Sequence, residues 1–152
     1  MKECTFELNG KPMSSFKIGA TSFPAFSGLG NHINRRQSAC LPNQGPIPPG
    51  EYFILDRESG GRFGWLRDFI RRRGDWFALY ANDGKIDDET WCEQVIRGQF
   101  RLHPKRGSGI SEGCIVIERM QDFQFLSSIL RNGTPSTIEG TDIEAWGRVV
   151  VR

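Results

Sequence analysis

The chain has 152 residues, a formal net charge of +2, 38% hydrophobic and 25% charged residues, the profile of one soluble globular domain. A domain of this size buries roughly two-thirds of the surface its unfolded chain exposes, which excludes disorder as the main state and removes any need for a metal or a disulfide framework. The near-neutral balance excludes a dedicated nucleic-acid binder, which carries a larger basic excess.

Thr5 to Leu8 and Ser15 to Gly19 are short alternating segments around Asn9-Gly10, a dipeptide that tolerates positive φ at both turn positions, so the chain opens with a β-hairpin. Residues 20 to 49 are rich in Gly, Pro, Ser and Asn and end Gly45-Pro46-Ile47-Pro48-Pro49-Gly50; prolines block helix and central strand alike, which predicts one long loop forming a wall of a site. Glu51 to Asp56 and Trp76 to Ala81 read as buried strands. Between them Phe63, Trp65, Leu66, Phe69 and Ile70 fall at spacings of three and four, a helix ended by Gly74 with Arg71, Arg72 and Arg73 as a solvated end. A second helix is expected over Asp87 to Arg97, with acidic Asp87, Asp88 and Glu89 at its positive end and Trp91, Val95 and Ile96 inward.

Phe100 to His103 and Cys114 to Ile117 read as strands joined by a polar, glycine-containing loop. A third helix over Gln121 to Arg131 is expected to bury Phe125, Leu126, Ile129 and Leu130, and Trp146 to Val151 supplies a C-terminal strand. Strands thus stand before, between and after isolated helices, without regular βα alternation. The fold class predicted is α+β and strand-rich, one domain over residues 1–152 with about three short helices. No apolar run reaches the length of a membrane span, and Met1-Lys2-Glu3-Cys4-Thr5 lacks the apolar core of a signal peptide. A chain made in the cytoplasm, without membrane insertion, is therefore expected.

Cys4, Cys40, Cys92 and Cys114 form no Cys-x-x-Cys pair, and only His32 and His103 could complete a zinc site, so no metal and no cofactor is expected. All four cysteines are read as free thiols. His103 ends one strand and Cys114 opens the next, eleven positions later, so a tight loop can bring imidazole and thiol together. A cysteine at its ordinary pKa near 8.5 is only a few per cent thiolate at neutral pH, and a neighbouring imidazolium stabilises the anion. Gly113 removes a side chain from the approach and suits a backbone N–H oxyanion hole. A cysteine opening an apolar strand also fits a core position, and spacing leaves the two readings open. His32 is read as a loop residue, and Cys4, Cys40 and Cys92 as structural.

Ser111-Glu112-Gly113-Cys114-Ile115 with an upstream histidine resembles the L,D-transpeptidase (YkuD-type) signature, and Ile47-Pro-Pro-Gly-Glu-Tyr-Phe53 resembles the segment that precedes that site. More closely, Gly45 to Tyr52, Arg101-Leu-His-Pro and Ser111 to Ile115 resemble the L,D-transpeptidase-like effectors delivered by type VI secretion. The likeness runs from the first hairpin to about Ile117. Val116 stands where many housekeeping L,D-transpeptidases have arginine or asparagine, Glu112 where many have histidine or lysine, and the histidine-to-cysteine interval is short; these departures favour the effector branch.

The resemblance implies an L,D-transpeptidase-like β-sandwich or barrel and acyl transfer on peptidoglycan stem peptides. Cys114 is then the nucleophile, His103 its proton-transfer partner, Gly113 a contributor to the oxyanion site, and Ser111 a residue that shapes the site or an ordinary turn hydroxyl. Water as acceptor gives L,D-carboxypeptidase action, whereas a D-amino acid or stem amine gives exchange or cross-linking. The substrate lies outside the cytoplasm, so the resemblance further implies a type VI secretion apparatus partner, action in the periplasm of a target bacterium, and a cognate immunity protein. A papain-like amidase is disfavoured because its cysteine precedes its histidine, and a sortase-like enzyme by its longer interval. The non-enzymatic alternative is a wall-binding module using Trp65, Trp76, Trp91 and Trp146, all of which fit core or helix faces equally well.

Overall fold

A computed structural model describes residues 1–56, 76–107 and 111–152. The helix expected over Phe63 to Gly74, with Trp65 and the three arginines, lies outside the described residues. The opening hairpin pairs β1 (Lys2–Phe6) with β2 (Ser14–Ile18) in antiparallel register. Its turn is tied by Asn9, which accepts from the Lys11 N–H at 3.0 Å and donates to the Met13 carbonyl at 3.0 Å, with Gly10 at a φ of 71°. The sequence then continues through β3 (Thr21–Phe26), β4 (Gly50–Asp56), β5 (Phe77–Ala81), β6 (Glu89–Cys92), β7 (Val95–Gly98), β8 (Arg101–Pro104) and β9 (Ile115–Ile117). Helix α1 (Met120–Leu130), a small hairpin of β10 (Ser136–Thr137) and β11 (Glu144–Ala145), and β12 (Gly147–Val151) complete the described chain.

Eight strands close a barrel in the order β1-β12-β4-β5-β8-β9-β3-β2. Neighbours in it are antiparallel except β1 with β12 and β8 with β9, which run parallel. Closure leaves no free sheet edge in the barrel. Side chains alternate across each strand, so Phe6, Phe16, Phe23, Ile54, Leu79, Leu102, Ile115, Ile117 and Val149 fill one apolar cluster, joined by Phe123, Leu126 and Leu130 of α1. On the outer face of β4 and β5, Phe53, Leu55 and Ala78 form a second cluster with Ile138 and Ala145 from the β10–β11 region.

Several expectations are corrected. Of the sandwich or barrel that the resemblance implies, the chain forms a closed barrel, and among the described residues there is one α-helix, accompanied by two 3-10 turns at Gly30–His32 and Arg36–Ser38. The long loop begins only after Phe26: β3 runs through Pro24, which has no N–H to give but accepts from Glu118 N–H at 3.0 Å through its carbonyl.

The segment read as a helix over Asp87 to Arg97 is the β6–β7 hairpin. Glu93 takes a φ of 56° in its turn, and Gly98 runs so close to Asp88 that a Cβ there would lie 2.1 Å from the Asp88 carbonyl oxygen. Trp91 and Ile96 face each other across the hairpin and are exposed, whereas the side chain that turns inward is Arg97, at 4% exposure. Acidic residues ahead of an apolar run imitate a helix start, and the strand's inward residue is not apolar. In α1 the buried positions are Phe123, Leu126 and Leu130; Phe125, expected inward, is 55% exposed and meets Phe23 edge to face.

The thiols of Cys40 and Cys92 are not free but joined in a disulfide, 52 residues apart in sequence. Closing a loop of that length removes denatured-state entropy worth about 4 kcal/mol in the chain-entropy account. Cys4 and Cys114 are the free cysteines among the described residues.

Candidate active site

Strands β8 and β9 run side by side and parallel, pairing Leu102 with Ile115, His103 with Val116 and Pro104 with Ile117. Leu102, Ile115 and Ile117 belong to the interior cluster. Alternation therefore sends His103 and Val116 to the outer face, and Cys114, two residues before Val116, to that same face. A strand spacing near 4.8 Å and a rise of about 3.3 Å per residue put the His103 and Cys114 Cα atoms roughly 8 Å apart, a diagonal that two side chains can span. By the same register Arg101 lies directly across from Cys114.

His103 is held on two sides. Its ring stacks on Trp76, with centroids 4.1 Å apart and planes 14° from parallel, and Arg106 lies over the same indole at 5.7 Å. Its Nδ1 lies 2.8 Å from the Pro104 carbonyl oxygen. A carbonyl only accepts, so Nδ1 carries the proton and, in the neutral ring, Nε2 carries the lone pair. This is the tautomer a general base requires. Trp76, open at the sequence level between core and binding surface, thus packs on the histidine, while Trp91 is exposed and Trp146 packs against the core.

The turn before Cys114 is anchored at successive carbonyls. Glu112 C=O accepts from Arg97 Nη2 at 3.2 Å, Gly113 C=O from Ser27 Oγ at 3.3 Å, and Cys114 C=O from Ser111 Oγ at 2.7 Å. In a trans peptide the N–H points opposite its C=O, so the first two bonds turn the Gly113 and Cys114 N–H groups away from their anchors. Gly113 has a φ of 117°, and a Cβ there would come within 2.6 Å of Arg97 Nη2 and 2.8 Å of Phe100; only glycine fits.

Ser111, buried to 1% exposure, also accepts from Gly28 N–H at 3.2 Å. Ser27 in turn accepts from Ile47 N–H at 2.8 Å, and its own N–H donates to Asn34 Oδ1 at 2.9 Å. The loop after Phe26 thus braces the Ser111–Cys114 turn by hydrogen bonds, from Gly28 and Ser27 directly and from Ile47 through Ser27. His32, read as a loop residue, sits in the first 3-10 turn with Nδ1 2.8 Å from Ser38 Oγ.

Arg97 and Arg101 were given no role by sequence reasoning. Arg97 donates to the carbonyls of Ala39, Gly45 (3.2 Å), Pro46 (3.1 Å) and Glu112, and its guanidinium lies 5.4 Å from the Phe100 ring centre. Burial lowers its pKa, opposed by the nearby Tyr52 and Cys114. Arg101 makes a bidentate pair with Asp88 at 2.8 and 2.7 Å; burial lowers its pKa, but Asp88, together with Tyr80 and Cys114, more than offsets that and the net shift is upward. Nothing in spacing signals either residue, because the partners are 13 to 58 positions away. Cys4 is the opposite of Cys114: burial, helped by the charge of Glu3, pushes its thiol up to about 12. Among the described residues no group of three or more His, Cys, Asp and Glu side chains could hold a metal ion.

A family model for the Tlde1 domain matches residues 21–141, a span that contains β3 to β10 and every site residue named above. The chain belongs to the Tlde1 domain family. This is a family of type VI secretion effectors with L,D-transpeptidase-like activity directed at peptidoglycan. A search of curated proteins and a search of solved structures gave no match. The Tlde1 match leaves out β1, β2, β11 and β12, and of these β1, β2 and β12 close the barrel on the side away from β8 and β9.

Proposed function

We propose that this chain is an antibacterial effector that performs cysteine-dependent acyl transfer on peptidoglycan stem peptides in the periplasm of a target cell. The observation that carries this reading is the placement of His103 and Cys114 on one outer face of the paired β8 and β9, with the histidine tautomer fixed by Pro104. His103 Nε2 takes the proton of the Cys114 thiol, and the thiolate attacks the carbonyl joining the third stem residue to the terminal D-alanine. The Gly113 and Cys114 N–H groups receive the developing oxyanion, and Ser111 holds the turn that aims them. The carbon–nitrogen bond then breaks, the imidazolium returns its proton to the leaving D-alanine amine, and a thioester remains on Cys114. Water resolves it to a tripeptide, or a free D-amino acid resolves it by exchange.

The Cys40–Cys92 disulfide supports an extracytoplasmic working place, since such bonds persist in oxidising compartments. A type VI apparatus component for delivery and an immunity protein that protects kin are the partners this reading entails. The test is mass spectrometry of disaccharide tetrapeptides incubated with the protein and with Cys114→Ala, with and without an added D-amino acid. Loss or replacement of the terminal D-alanine by the intact chain alone is expected; unchanged tetrapeptide with folded protein overturns the reading.

A further inference from the structure

The turn that carries Cys114 rests on a buried cation. Arg97 is 4% exposed and reaches the turn from β7, a strand outside the barrel. Its guanidinium bonds three carbonyls of the 39–46 loop and the carbonyl of Glu112, two residues before the nucleophile. No carboxylate of the described residues pairs with it. Burying a cation among carbonyl dipoles alone is costly; an apolar side chain or a neutral hydrogen-bond donor would fill the space at lower cost if packing were the only requirement. The cation also fits against Gly113 so closely that a methyl group there would collide with Nη2.

We propose that Arg97 is a positioning residue for the nucleophile: its fork fixes the Glu112–Cys114 turn, and its charge favours the Cys114 thiolate. The inference rests on the assignment of Cys114 as nucleophile made above. The charged groups around the thiol divide the work. Arg101, across from Cys114 on β8, has its charge compensated by the bidentate Asp88; His103 exchanges the proton; Glu112 stands on the turn itself with its side chain exposed. Arg97 is the buried positive charge of this set that carbonyls rather than a carboxylate hold. The guanidinium bonds the Glu112 carbonyl and packs on Gly113, the residue next to Cys114; a full charge there, in a partly desolvated site, lowers the thiol's pKa, and a planar fork bonding four carbonyls is not reproduced by an ammonium.

The experiment is the pH dependence of Cys114 alkylation by iodoacetamide, read by mass spectrometry in the intact chain, Arg97→Lys and Arg97→Met, alongside kcat and KM on disaccharide tetrapeptide. Arg97→Met is expected to move the alkylation midpoint upward by about one pH unit, slowing alkylation below that midpoint about tenfold. Arg97→Lys is expected to keep the midpoint while kcat falls about tenfold or more with KM little changed, because charge is retained and the fork is lost. Should Arg97→Met fail to fold, as judged by its melting transition, the lysine variant decides alone: intact kcat in Arg97→Lys overturns the positioning role. A folded Arg97→Met with the midpoint of the intact chain overturns the charge role. A chain that never turns over stem peptides, yet shows the Arg97-dependent midpoint, upholds the inference and removes the peptidoglycan reading instead.

Discussion

The two sides of the barrel are built on different terms. In the wall formed by β1, β12, β4 and β5, each neighbouring pair shares five residues of register, and the inward side chains are almost all apolar. Around β8 and β9 the ladders shorten to two or three pairs. There the described residues bury Ser27, Asn34, Ser38, Arg97, His103 and Ser111; the one other buried polar residue, Ser14, lies in β2. Apolar burial is non-directional and tolerates small errors, whereas a buried polar group destabilises unless its partner is in place. The wall therefore supplies stability, and the site side spends part of it on geometry.

This contrast predicts that mutations separate by readout. Ile54→Ala, fully buried in the wall, is expected to lose about 2–5 kcal/mol of unfolding free energy while turnover per folded molecule stays within about twofold. Denaturant titration beside the tetrapeptide assay checks it, and a parallel collapse of specific activity would show that the two sides are not separable. Opening the Cys40–Cys92 bond, by reduction or by Cys40→Ser with Cys92→Ser, should cost up to about 4 kcal/mol and also lower kcat, since the bond fastens the hairpin carrying Arg97 to the loop whose carbonyls Arg97 holds. A melting shift with kcat intact would confine the disulfide to stability. Ser111→Ala removes a hydroxyl that links Gly28 to Cys114; about 1–3 kcal/mol of stability and at least tenfold in kcat are expected to go together, with Ser111→Thr restoring part of both.

The same division governs what could be read from the sequence. The wall was legible: Asn9-Gly10 marked its hairpin, and the apolar runs at Glu51 to Asp56, Trp76 to Ala81 and Trp146 to Val151 marked its strands, because local pattern and final burial agree there. The strands bearing His103 and Cys114 were legible for the same reason, and the Ser-Glu-Gly-Cys turn by resemblance. What failed was the material that braces them. The β6–β7 hairpin buries an arginine and exposes Trp91 and Ile96, reversing the usual relation between polarity and burial. Its conformation is set by Cys40, Ala39, Gly45 and Pro46, more than fifty residues away. No window of sequence contains that information. Phe125 failed differently: Phe at 123 and 125 point to different sides of the helix, and the one buried is Phe123, whose ring packs 6.2 Å from that of Phe77.

The two free cysteines offer the smallest and sharpest form of the comparison. Cys4 sits in the wall at 1% exposure, Cys114 at the site with partial exposure. The folded chain holds the Cys4 proton to about 12, against an ordinary 9.0, so between those values the unfolded chain has released a proton that the folded chain still binds. Stability must then fall as pH rises through 9, by up to about 1.4 kcal/mol for each pH unit. Tyr52, also raised by burial, adds the same sign only above its ordinary 10, which leaves pH 9 to 10 for Cys4 alone among these two. Guanidinium titrations across that interval are expected to show the decline in the intact chain and a flatter one in Cys4→Ala, despite that variant's lower stability at pH 7. Equal slopes would mean that the buried thiol is not what the wall protects. Iodoacetamide at pH 7 should meanwhile label Cys114 and spare Cys4, because the same burial that fixes one proton in the wall is withheld from the thiol proposed as the nucleophile.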